Sequence, residues 1–430
     1  MPGPIRLLIA LTLMASAAGA QIRLPGVTLP TLPGPALQTV DPLQSASLDR
    51  LSDARHLEIR RLIRANRQSI DTDPQGEPVI RNEILALSPD EAALQAARSR
   101  GFIVDREQLI AALNIHLVVL RAPPQMSVHT ALRALREADP GGGYDYNHLY
   151  FGGGALSDTS AAAIQPAETA APRAAQFLIR VGLIDTGVDV SHPVFSASSV
   201  HAWGCGNHTV PAPHGTAVAS LMIGRSGAFQ GVQPAAELYA ADVYCGRPTG
   251  GAVDALVAAF AWLVQERVPV INVSLVGPKN VLLERVIGEL VRAGYIIVAA
   301  VGNDGPAAPA LYPASYPNVV GVTAVDAHDR VLLEAARGPQ VMFAAPGADL
   351  AAAGADHSYA VVRGTSFAAP FVAALLAARV GTPNPAEAAS AIDALARSAV
   401  DLGPPGRDLT YGIGLVGASY RIDPGALIHK

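Results

Sequence analysis

The chain has 430 residues, half of them apolar, so it can bury at least one large core and has room for two or three domains. A formal charge of -5 with 16% charged residues supplies neither the basic field that nucleic acid requires nor an acidic tail. No nucleic-acid partner is expected, and composition names no other.

In chain order, Arg6 is followed by an apolar run over residues 7–17 and then by Ala18, Gly19 and Ala20. This is the pattern of a secretory signal peptide over residues 1–20, and the run is too short to span a bilayer. No cysteine near the cleavage point can carry a lipid, so no membrane anchor is expected and the product is secreted or periplasmic. Residues 21–46, with Pro25, Pro30 and Pro33 and little hydrophobic periodicity, read as an extended tether. Over residues 47–67 apolar and charged residues alternate at helical spacing, which puts Arg55, Arg60, Arg61, Arg64 and Arg67 on a solvated basic face.

A strand at 102–104, a helix from Arg106, a strand at 115–120, a helix at 127–138 and a last strand within 144–150 then build a small α+β domain. With the preceding helix it makes one segment, 47–150. Residues 151–176, rich in Gly, Ala, Ser and Thr, read as an exposed, cleavable linker. From 177 to 420 apolar strands alternate with helices, the mark of an α/β domain with a mostly parallel central sheet covered on both faces. Strands are expected at 177–184, 237–243, 268–273, 295–300 and 319–322, and helices begin at His214, Val253, Val281 and Ser366. Residues 421–430 form a tail.

Reactive groups in such sheets collect beyond the carboxyl ends of the strands. Asp185 ends an apolar strand just before Thr186 and Gly187, and Asn303 follows the strand that runs out through Ala300, Val301 and Gly302. His214 stands at a glycine turn entering an apolar helix. Ser366 opens a long Ala/Val/Leu helix, beside backbone N–H groups with no partner inside it. Each has an ordinary explanation alone: a turn cap, a partly buried histidine, an asparagine tolerant of left-handed backbone, an N-cap serine. Together, in the order Asp, His, Asn, Ser with glycines beside each, they describe one hydrolytic site. An α/β-hydrolase needs its histidine after the nucleophile, where only His429 stands, and Ser366 lies in no G-x-S-x-G.

At these residues the chain resembles the subtilisin-like serine peptidases, whose three signature blocks stand here as DTGVDVSHP from Asp185, HGTAVAS from His214 and GTSFAAP from Gly364. Weaker segments agree in order, among them the stretches from Ile271 to Leu275, from Tyr312 to Pro317 and from Tyr411 to Gly414. The resemblance spans about residues 177–418, and residues 101–150 follow the family's propeptide in pattern. It implies a subtilisin-like fold behind a small α+β propeptide domain, and a serine endopeptidase made as an autoprocessed zymogen. Ser366 would be the nucleophile, His214 the general base and Asp185 the carboxylate that orients it. The Asn303 amide and the Ser366 N–H would form the oxyanion hole. Ser274, Leu275 and Val276, with Ala300 and Gly302, would wall the first specificity pocket over Leu311. The implied partners are polypeptide substrates and the chain's own propeptide as intramolecular inhibitor; the enzyme would be a monomer without a cofactor.

Two departures narrow the pocket: Val276 replaces a usual glycine and Leu311 a usual small residue, so small or modest apolar side chains are expected before the scissile bond. Val194 stands where the family's strong calcium site takes an aspartate, and the loop 224–228 is poor in oxygen side chains, so no metal is expected there; Asp326 and Asp329 leave a second calcium site open. Cys205 and Cys245, isolated in an oxidising compartment, are expected to form a disulfide, with two buried thiols as the alternative. A catalytically silent secreted binding or scaffold protein with a peptidase fold is the competing function. The complete Asp-His-Ser set and Asn303 argue against it, and fluorophosphonate labelling of Ser366 discriminates.

Overall fold

The computed structural model describes residues 55–152, 155–161, 178–206, 208, 210–247, 250–354 and 357–428. The expected signal peptide, the tether, the start of the 47–67 helix and most of the linker lie outside these residues. Among the described residues no helix is long and apolar enough to cross a membrane.

The N-terminal unit opens with helix α1 (residues 55–65) and continues through β1 (Ile70–Thr72), β2 (Pro78–Leu87), α2 (Glu91–Ser99), β3 (Ile103–Ile110), β4 (Ile115–Arg121), α3 (Val128–Ala138) and β5 (Gly143–His148). Asp90 and Ser127 start α2 and α3 by accepting the backbone N–H of Ala93 and Thr130. The strands form one antiparallel sheet in which β2 lies between β4 and β5, and β3 is the outer neighbour of β4. Its period-two alternation is clean: Ile84, Ala86, Val118 and Leu120 pack on Leu94 and Leu132 of α2 and α3. Leu85, Leu87, Leu117 and Val119 face the other way, into the core of the larger unit. This sheet therefore completes its burial only against the rest of the chain.

Two expectations fail here. Arg106 begins no helix, because residues 103–110 pair along β4 instead. Its guanidinium joins Glu83 at 2.7 Å and Asp254 at 2.7 Å, and a partner strand outweighs the helix preference of Arg106, Glu107, Gln108 and Leu109. Arg55 is not on a solvated face: it is 7% exposed and bonded to Asp304, whose position 249 residues away no local periodicity reveals.

The stretch expected as an exposed linker holds two paired strands, β6 (Phe151–Gly152) and β7 (Ala155–Ala161). The larger unit follows with β8 (Arg180–Asp185), β9 (Ser199–Trp203), α4 (Pro213–Ile223), the hairpin β10 (Arg225–Ser226) and β11 (Phe229–Gln230), β12 (Glu237–Asp242) and α5 (Val253–Gln265). Then come β13 (Val270–Val273), β14 (Leu275–Val276), α6 (Val281–Arg292), β15 (Ile296–Ala300), β16 (Val320–Val325), β17 (Val341–Pro346), β18 (Ala348–Ala353), β19 (Tyr359–Arg363), α7 (Thr365–Ala377) and α8 (Pro385–Arg397). Seven strands make a parallel sheet in the order β17-β16-β15-β13-β8-β12-β9.

Both faces of that sheet are covered except at the β9 edge, which is why its inner strands are largely apolar. Val181 and Leu183 of β8, with Ile296 and Val298 of β15, meet Val218 of α4 and Phe371 of α7. Ile184, Ile271 and Ile297 meet Phe260 of α5 and Ile287 of α6 on the opposite side. The N-terminal unit sits on those two helices and caps their starts: Asp145 Oδ2 accepts the N–H of Val281 at 2.8 Å, and Asn147 Oδ1 that of Asp254 at 3.2 Å. β6 pairs antiparallel with β14, and β7 with β19.

Candidate active site

Asp185 is the last residue of β8, and the alternation that sends Val181 and Leu183 toward α4 sends its carboxylate there too. Oδ1 accepts the backbone N–H of Thr186 at 2.6 Å and lies 2.7 Å from His214 Nδ1. A carboxylate at that distance fixes Nδ1 as the protonated nitrogen, so the lone pair of the neutral ring is on Nε2. Thr186 also locks the two elements together, since its hydroxyl accepts the N–H of Gly215 at 2.8 Å. A Cβ on Gly215 would fall 2.2 Å from the Thr186 carbonyl oxygen, so this approach of α4 to β8 requires glycine. Both Asp185 and His214 are buried.

Ser366 is the second residue of α7, entered through Gly364 at φ 136°, a conformation that side chains rarely adopt. Its hydroxyl donates to the Ser274 carbonyl at 3.1 Å, while the Ser274 hydroxyl donates to the Ser366 carbonyl at 2.9 Å. Asn272 Nδ2 in turn donates to Ser274 Oγ at 2.8 Å, so a row of polar side chains ties β13 to the start of α7. Phe367, next to the serine, lies against His214 with ring centroids 5.3 Å apart.

Asn303 is 3% exposed, and its Oδ1 accepts the N–H of Thr365 at 3.0 Å. That bond orients the amide and leaves Nδ2 with no partner among the described residues, a buried donor beside the start of the serine's helix. The Thr365 hydroxyl holds the other side of the turn by accepting the Gly302 N–H at 3.1 Å.

The chain's own strand β6 runs through this region. Leu275 is paired with Gly152 and Val276 with Phe151. On the far edge, the N–H of Tyr150 donates to the Gly251 carbonyl at 2.8 Å and the Tyr244 hydroxyl to the Tyr150 carbonyl at 2.8 Å. A Cβ on Gly152 would lie 3.2 Å from His214 Nε2, so the strand passes directly over the imidazole. Leu275, Val276, Ala300 and Leu311 are all buried nearby, and a Cβ on Gly302 would fall 2.4 Å from Leu311 Cδ1. The leucine thus fills the space beside the Gly302 backbone. Thr186, Thr365, Asn272, Tyr244 and Gly251 were not singled out from sequence. The one sequence signal of Thr186, Thr365 and Asn272 is their place beside the motif residues, while Tyr244 and Gly251 carry none.

Cys205 and Cys245 are joined by a disulfide with Cα atoms 5.2 Å apart, which ties the end of β9 to the loop that leads to Gly251. Asp242, beneath that bridge, is buried; burial pushes its carboxyl above the ordinary 3.8, against the pull of the Cys245 and Tyr244 N–H groups on Oδ1.

The family's strong calcium site does not fit here. Val194 is wholly buried in the apolar core, and Gly224 spends its carbonyl on the N–H of Gly231. Asp326 and Asp329, the pair left open for a second site, form ion pairs with Arg330 and Arg421.

A parallel α/β sheet with an Asp-His pair at its carboxyl edge, a serine at a helix start and an oriented amide beside it is the architecture of a serine peptidase. Residues 178–414 match the sequence model of the subtilase family, and the chain belongs to that family of serine-type endopeptidases. It is 29% identical over 243 residues to the minor extracellular protease Epr of Bacillus subtilis, which covers 55% of this chain and 37% of Epr. It is 32% identical over 249 residues to subtilisin DY of Bacillus licheniformis, covering 55% and 88%. Among solved structures it shares the fold of fervidolysin from Fervidobacterium pennivorans, described as a keratinolytic enzyme related to subtilisin, with a TM-score of 0.66 and 19% identity over 82% of this chain and 62% of that one.

Proposed function

We propose that the chain is an exported serine endopeptidase, made as a zymogen whose residues 47–150 inhibit it until it cuts itself. A serine hydroxyl is too weakly acidic to attack an amide near neutral pH, so His214 Nε2 takes the Ser366 proton as Oγ adds to the substrate carbonyl. Asp185 stabilises the imidazolium that results and does not itself take the proton. As the carbonyl becomes tetrahedral its oxygen gains negative charge, and Asn303 Nδ2 and the Ser366 N–H donate to it. His214 then returns the proton to the leaving amine, and water hydrolyses the acyl-enzyme by the same route.

The observation that carries this reading is the 2.7 Å bond between His214 Nδ1 and Asp185 Oδ1, with the chain's own Gly152 lying against the opposite ring nitrogen. A strand paired with Leu275 and Val276 there has the pose of an extended substrate. Self-cleavage would fall between Tyr150 and Ala175. The pocket residues Val276 and Leu311 favour small or modest apolar side chains before the cut, and the signal sequence over residues 1–20 favours export. N-terminal sequencing of the exported wild type beside Ser366→Ala tests the reading: the variant should accumulate with residues 47–150 still attached. Normal maturation of that variant would overturn self-processing.

A further inference from the structure

Side chains of a strand alternate between its faces, and β6 with the two residues before it obeys this. Tyr150 points into the larger unit, where it is wholly buried and its hydroxyl donates to the Pro278 carbonyl at 2.6 Å. Leu149 and Phe151 point the other way, yet they are only 0% and 3% exposed. They form a separate apolar cluster with Ile70 and Ala252, and Leu62 and Ile63 of α1 pack on it. Arg55, Ile59, Leu62 and Ile63 recur at helical spacing as the covered face of α1, while Arg60, Arg61 and Arg64 lie exposed on the other. At the first described residue of the helix, Arg55 Nη1 donates to Asp304 Oδ2 at 2.6 Å in a pair whose side chains are 8% and 14% exposed. Asp304 follows Asn303. Helix α1 thus crosses from the back of the cleft strand to the loop bearing the oxyanion donor.

We infer that α1 is an inhibitory strap, latched by Arg55 and Asp304, that keeps the cleft strand in place after the chain has been cut. The inference rests on the peptidase reading above. A cut beyond Gly152 breaks none of these contacts, so release requires exposing Leu149 and Phe151 and parting a nearly buried ion pair. Activity should therefore lag behind self-cleavage.

The test follows purified full-length precursors, reading the cut on a gel and activity on a peptide substrate. Wild type should show a delay between the two. Arg55→Glu and the double variant Leu62→Ser with Ile63→Ser should cut at the wild-type rate and shorten that delay about tenfold or more, the effect of losing one partner of a buried pair or its apolar cover. Arg55→Asp combined with Asp304→Arg should restore it. If Arg55→Glu leaves the precursor uncut, Arg55→Gln takes its place with the same expectation. The mature enzyme released from the Arg55 and Leu62/Ile63 variants is identical in sequence, so its kcat/KM must not change. A delay unaltered in both variants, or absent in wild type, would overturn the strap. A wild type that neither cuts itself nor hydrolyses any peptide would instead sink the peptidase reading, and the strap with it.

Discussion

Asn303 Oδ1 accepts the backbone N–H of Thr365 at 3.0 Å, so the loop after β15 and the helix that carries Ser366 are fixed to one another through a single amide. The bond leaves Nδ2 as the donor that the proposed mechanism turns toward the developing oxyanion. Asn303→Ala should lower kcat by about 10²- to 10³-fold with little change in KM, the size of effect known for the corresponding asparagine of subtilisin itself and carried over to this chain by analogy. Steady-state kinetics on the mature variant check it. A loss confined to KM would place Asn303 in substrate binding alone.

Leu311 Cδ1 occupies the space that a side chain at Gly302 would need. Leu311→Ala should open the pocket floor and move the preferred residue before the cut from small or modest apolar toward Phe and Tyr. Mixed peptide libraries cleaved by both proteins report this directly. A wild type that already cleaves best after Phe or Tyr contradicts the pocket assignment.

The Cys205–Cys245 bridge closes a loop with sequence separation 40. Replacing both cysteines by serine should cost about 2–4 kcal/mol of stability, by releasing the unfolded chain from that closure. It should also raise KM, since the loop leads to the Gly251 carbonyl that pairs with the cleft strand. Unfolding midpoints in the Ser366→Ala background give the first effect, and peptide kinetics the second.

Burial holds the Asp242 carboxyl above 3.8 in the folded protein. The folded state therefore binds more protons than the unfolded one in the window from 3.8 up to the folded value, and this residue's contribution to stability falls as pH rises through that window. Asp242→Asn keeps an oxygen for the Tyr244 and Cys245 N–H groups but cannot ionise. Its urea midpoint should lose that part of the pH dependence and be no lower than the parent's at pH 7. A variant weaker by more than about 1 kcal/mol at pH 7 would show that the ionised form is the stabilising one.

Much of the larger unit was legible because its central strands are apolar on both faces and its helices start at marked residues: β8, β12, β13, β15 and β16 fall where apolar runs put them. Strand β9 escaped because, at the sheet edge, Ser199, His201 and Ala202 are exposed and carry no continuous apolar signal. The misreadings share one cause. Local spacing alone puts Arg106 at a helix start and Arg55 on a solvated face, whereas their partners Asp254 and Asp304 lie 148 and 249 residues away. The Asp, His, Asn and Ser positions were legible because each stands at a strand end or helix start beside a glycine. Thr186 and Thr365, which hold them in place, carry no signal of their own.

The central claim, that Asp185, His214 and Ser366 act as one reacting unit, is tested most directly by a fluorophosphonate applied to the mature protein and located by peptide mass spectrometry. The label should bond to Ser366 in wild type and be nearly lost in His214→Ala that has been freed of residues 47–150 by a trace of wild-type enzyme, afterwards removed; that variant still carries the hydroxyl but has no base to take its proton. Mature protein unlabelled at Ser366, or labelled there equally well without His214, would contradict that claim.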